Sequence, residues 1–65
     1  MTVNWSALVA EAIRRRKAEH LSQRDLAALA GVSLPTVVKF EKGSGEIIVA
    51  KALAILRVLG LEDRA

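Results

Sequence analysis

The sequence predicts an all-α domain built from four short helices, and three observations carry that expectation. Between Ser22 and Gly43 the chain is punctuated as two helices sharing a tight turn, with Ser22, Gly31, Ser33, Pro35 and Gly43 where helices start and stop. On either side of that stretch apolar residues return every three or four positions, at Trp5, Leu8, Val9, Ala12 and Ile13 and again at Val49, Leu53 and Leu56. Composition agrees, because eleven alanines against only two aromatic residues, Trp5 and Phe40, favour helix over sheet. A chain of 65 residues has room for one domain, and a core of that size yields on the order of a few kcal/mol of net stability. Self-association would help to hold it.

Residues 1–4 read as a loose arm, with Asn4 or Ser6 available to cap a first helix over Trp5–Ala18. One stripe of that helix is apolar, with Trp5 as a lid on the core. Its end is basic: Arg14, Arg15, Arg16 and Lys17 read either as a solvated terminus favoured by the helix dipole or as a phosphate-facing patch. His20 in the following turn has no second histidine, cysteine or carboxylate cluster beside it and is assigned no chemistry.

The second helix starts at about Gln23, because the Ser22 hydroxyl can accept from amides ahead of it and Asp25 can reach back as the other half of a capping box. Leu26, Leu29 and Ala30 give it an apolar stripe, with Gln23, Arg24 and Ala28 on the other side. Gly31 stands where a helix needs a left-handed residue to leave its axis. Ser33 offers the next cap, and Pro35 is tolerable only in a first turn, so a third helix begins at Ser33 or Leu34. Within it Val37, Phe40 and Glu41 share one side, and Leu34, Pro35, Val38, Lys39 and Lys42 occupy another. Together these elements make a helix-turn-helix. After the polar loop Ser44-Gly45-Glu46, a fourth helix is expected to bury Val49, Leu53 and Leu56 and to end at Gly60. Ile47-Ile48-Val49 can also start it as a short extended segment. Ile48, Ile55 and Val58 fall outside the expected stripe, which makes them candidates for a homodimer or partner interface.

Gln23, Leu26, Ala27, Gly31, Val32, Ser33, Thr36, Val37, Phe40, Glu41 and Gly43 resemble the pattern of the lambda-repressor-like, Cro-type (XRE family) helix-turn-helix domains of bacterial and phage regulators. The resemblance extends from about Trp5 to Leu61 through Leu53, Leu56, Leu59 and Gly60. It implies that the third helix lies in the major groove of double-stranded DNA while the second crosses the backbone. On that footing Leu34, Pro35, Val38 and Lys39 are the base readers. Gln23, Arg24, Ser33, Thr36, Lys42 and Ser44 are the phosphate contacts. Plainer readings stand beside these: Gln23 as a solvated first-turn residue, Ser33 as a cap. Arg16 would pair structurally with Glu41, with Lys17 as the fallback because Ile13 stands one place beyond the family's usual apolar position at Ala12. The family also tends to carry proline and a capping serine where this chain has Ile47 and Ile48, and a fifth helix for which residues 61–65 are too short.

Ten basic against seven acidic side chains give a net charge of +3, which suits a polyanionic partner. The chain has no cysteine, no bilayer-length apolar run and no signal-peptide pattern, so a cytoplasmic protein without membrane contact is expected. No cofactor and no metal is expected. No nucleophile and base stand together, which argues against an enzyme. The expected function is a sequence-specific DNA-binding regulator, a repressor acting as a homodimer, with the antitoxin of a toxin–antitoxin pair and a protein-interaction module that does not bind DNA as rivals.

Overall fold

In a computed structural model, which describes residues 4–61, the chain forms four helices: α1 (Trp5–Ala18), α2 (Gln23–Ala30), α3 (Leu34–Glu41) and α4 (Val49–Val58). Of the expected arm at residues 1–4, residues 1–3 lie outside the described residues, as do residues 62–65 of the segment 61–65 judged too short for a fifth helix; Asn4 is the N-cap of α1.

Three of the four starts are capped by side chains. Asn4 accepts from the Ala7 amide, Ser22 from Asp25 and Ser33 from Thr36, and at Ser22 the Asp25 carboxylate reaches back to complete the capping box. Helix α4 begins differently. Its N-cap, Ile48, has extended backbone and no side-chain hydrogen bond to offer, and Val49, expected in a short extended segment with Ile47 and Ile48, is already helical.

All four helices end alike. A left-handed residue follows each, at His20, Gly31, Gly43 and Gly60, and the next amide reaches back five residues: Leu21 to Arg16, Val32 to Ala27, Ser44 to Lys39 and Leu61 to Leu56. Three of those following residues, Leu21, Val32 and Leu61, tuck an apolar side chain against or into the core. His20 carries a left-handed φ of 59° with a full side chain, at a strain of about 1 kcal/mol or more that glycine would not have.

The core joins Val9 and Ala12 of α1, Leu26 and Ala27 of α2, Val37 and Phe40 of α3, and Ala52, Ile55, Leu56, Leu59 and Leu61 from α4 onward. Helix α2 packs on both α3 and α4, and α1 packs on α3. Small Ala27 lets α2 approach its neighbours closely. Trp5 covers the end of this core, its ring edge-on to Phe40 with centroids 5.7 Å apart; its indole N–H is buried and has no partner among the described residues.

Two stripes come out differently from expectation. In α2 it is Leu26 and Ala27 that are buried, whereas Leu29 is 62% exposed. In α4 the buried set is Ala52, Ile55, Leu56 and Leu59, spaced i, i+3, i+4, i+7; Val49 and Leu53, expected in the core, are 71% and 38% exposed. Ile55 is fully buried and therefore is not an interface residue, which corrects that expectation; Val58 is half-buried against the core. The helix is apolar nearly all round, and the phase that faces inward is the one completing a four-residue stripe. Val49 and Leu53 instead line an open apolar cleft of about 290 Å³ with Trp5, Leu8 and Ile47.

Candidate nucleic-acid interface

The turn between α2 and α3 is short because Gly31 closes one helix and Ser33 opens the next. Burial of Val37 and Phe40 fixes the rotation of α3 about its axis. That rotation leaves Pro35 and Lys39 exposed and Leu34, Thr36 and Val38 half-buried along its other side. The four residues expected to read bases thus share the side of α3 away from Val37 and Phe40. Lys39 is the one among them with a charge, and three of the four can offer only apolar contact.

Around this ridge the expected phosphate contacts are placed unevenly. Arg24 and Lys42 are exposed and form no ion pair among the described residues. Ser33 and Thr36 hydroxyls lie 2.8 Å apart, and the Ser33 oxygen also accepts from the Thr36 amide at 3.3 Å, so capping occupies much of Ser33. The half-buried Ser44 accepts from the Glu46 amide and ties the loop after α3. Lys51, which sequence reasoning left out, lines a shallow depression with Thr36 and Lys39. Its place in the first turn of α4 was a readable signal, since it is one of the two charged residues in an otherwise apolar helix.

The Arg16–Glu41 pair is present, and Lys17 is not needed as a substitute. Nε of Arg16 donates to Oε2 of Glu41 at 2.6 Å, and Nη2 donates to Oε1 at 3.3 Å. Nη1 of Arg16 donates to the Leu21 carbonyl at 2.7 Å, while the Arg16 carbonyl accepts from the Leu21 amide. One side chain therefore ties the end of α1 to the end of α3 and pins the turn into α2. Gln23 joins the same cluster: its Nε2 donates to Oε1 of Glu41 at 2.9 Å, so it is more than a solvated first-turn residue.

The other members of the basic run have their own partners. Arg14 pairs with Glu11; Arg15 lies 3.6 Å from Glu11 and donates to the Leu59 carbonyl at 3.3 Å. Those arginines hold the Glu11 carboxyl below the usual range, with the Arg14 hydrogen bond as the largest cause. Lys17 alone of the four is left as an exposed cation without an ion pair among the described residues.

Among the described residues no group of His, Cys, Asp or Glu could hold a metal ion, and no helix is long and apolar enough to cross a membrane. No curated protein and no solved structure matches the chain significantly. A family model described as helix-turn-helix matches residues 13–64, a span that contains α2, the glycine turn, α3 and α4. The chain therefore belongs to the helix-turn-helix family of lambda-repressor-like, Cro-type domains, the XRE family of DNA-binding transcription regulators.

Proposed function

We propose that the protein is a sequence-specific repressor that sets α3 in the major groove of its operator and binds as a dimer. The observation that carries this reading is the division of α3 into a buried side, Val37 and Phe40, and an outer side bearing Leu34, Pro35, Val38 and Lys39. Lys39 donates to guanine O6 or N7, and the three apolar residues touch thymine methyl groups or exclude bases by shape. Direct readout is thin, so specificity leans on thymine methyls, on DNA shape and on half-site spacing. Gln23, Arg24, Ser33, Thr36, Lys42 and Ser44 hold the backbone, with Lys51 added to that set.

One module buries only about 600 to 1,000 Å² on DNA, so useful affinity calls for two copies on half-sites about one helical turn apart. The exposed residues Ile48, Val49 and Leu53 offer the apolar surface for pairing, with Val58 contributing what its partial burial leaves free. The same exposed residues favour a second reading, in which an antitoxin represses its operon and covers a toxin with this side of α4.

Selection from random duplexes at stated salt, followed by footprinting, tests the proposal. The expected result is a pseudo-palindromic site rich in thymine contacts, bound with a salt slope that reports about four to eight phosphates per dimer. A guanine-rich consensus read at every α3 position, or a strict monomer both free and on DNA, overturns it. Co-purification of a second protein in fixed ratio selects the antitoxin reading.

A further inference from the structure

Gln23 stands at the first position of α2, where backbone amides lack intrahelical acceptors and an anion is favoured. A glutamine amide at such a place has two ends with opposite effects: its NH2 attracts a phosphate and its carbonyl repels one. Half a turn about the last torsion exchanges them. Here the choice is made from inside the protein. Nε2 donates to Oε1 of Glu41 at 2.9 Å, and a carboxylate has no hydrogen to give, so the reversed amide would set two oxygens against each other. Glu41 is itself fixed by the two Arg16 contacts, at 2.6 and 3.3 Å, and Arg16 is anchored to the Leu21 carbonyl at 2.7 Å, two residues before Gln23.

The geometry points to Glu41 as a positioning residue for DNA binding: clamped by Arg16, its carboxylate orients the Gln23 amide so that the second N–H is kept for a backbone phosphate. The inference rests on the reading of Gln23 as a phosphate contact. It assigns Arg16 a second task as well. A lone carboxylate beside the start of α2 would repel a phosphate, and the guanidinium neutralises it while holding it in place. The cluster that joins α1 to α3 thereby also sets the polarity of a side chain at the edge of the interface.

The test uses the intact protein and a selected operator duplex in which one phosphate at a time is replaced by an uncharged methylphosphonate. In the parent protein one backbone position per half-site is expected to cost about tenfold in affinity, the effect of one charge-assisted hydrogen bond. Gln23→Ala is expected to lose about the same factor and to become indifferent to replacement at that position alone. Glu41→Gln, whose amide accepts either orientation of Gln23, is expected to become indifferent at the same position while keeping its penalties elsewhere. The double variant should bind no worse than Gln23→Ala.

A measurement without any Glu41 variant guards against loss of folding. In the parent protein the two Gln23 side-chain amide protons should be resolved by nuclear magnetic resonance, and operator DNA should shift one and leave the other in place. If Glu41→Gln keeps the full penalty at the Gln23 position, or DNA shifts both protons alike, the positioning role is overturned and the phosphate contact survives. If Gln23→Ala binds as tightly as the parent, the phosphate contact itself is wrong, and this inference falls with it.

Discussion

Helices α2 and α3 begin on side-chain caps that lie next to them in sequence, whereas α4 begins on Ile48, which can cap nothing. Their ends are alike, each closed by a left-handed glycine and an amide reaching back five residues. The difference lies in what fixes each helix. Ser22, Asp25 and Ser33 set the starts of α2 and α3 through side chains adjacent to them in sequence. Helix α4 is placed by what it buries, Ala52, Ile55, Leu56 and the following Leu59 and Leu61, and its first turn is left with Ile48 and Val49 in solvent. The helix-turn-helix half of the molecule is the locally specified half, and the half with spare apolar surface is the one held by packing.

The largest effect should come from the clamp that serves the first half. Arg16→Ala leaves the Glu41 carboxylate with little solvent and no cation, at a cost of about 3 to 5 kcal/mol, enough to unfold most of a domain of this size. A thermal melt by circular dichroism checks it; a loss under about 1 kcal/mol would show that the pair is not what joins α1 to α3. An intermediate effect of opposite sign is expected at the weak start of α4. Ile48→Ser supplies the missing cap from a side chain that is 61% exposed, so little burial is given up and about 1 kcal/mol is gained. That gain should raise the melting temperature by about 4 to 8 °C, and no rise would mean the first turn of α4 is limited by something other than its cap.

The smallest effect concerns pH. Hydrogen bonds from the Ser22 amide, then from its hydroxyl, hold the Asp25 carboxyl below the ordinary aspartate range. A depressed carboxyl stabilises the folded state above its unfolded pKa, and that contribution is lost as pH falls through the lowered value. Parent protein should therefore lose stability on acidification slightly more steeply than Asp25→Asn, and parallel curves would remove Asp25 from the capping box.

What could be read in advance follows the same division. The caps at Ser22 and Ser33, the turn at Gly31 and the Arg16–Glu41 pair were legible because each depends on residue type at a fixed short spacing or on a specific resemblance. The phase of α4 was not. With apolar residues at nearly every position, several stripes fit the helical period, and the choice of Val49, Leu53 and Leu56 missed the longer run through Ala52, Ile55, Leu56 and Leu59. Leu29 failed for a related reason: Ala27, small enough for close packing, takes the buried place that hydrophobicity alone awards to leucine. The Gln23–Glu41 contact had no sequence signal, since it joins residues 18 apart that only the packed α2–α3 angle brings together.

Trp5 gives the molecule a built-in optical probe. It is the single tryptophan of the chain, its ring meets Phe40 in the last turn of α3, and its N–H is shut away from water. Native emission should accordingly sit toward the blue, and any event that tilts α3 should change its wavelength or intensity, so DNA binding is open to fluorimetry on unlabelled protein.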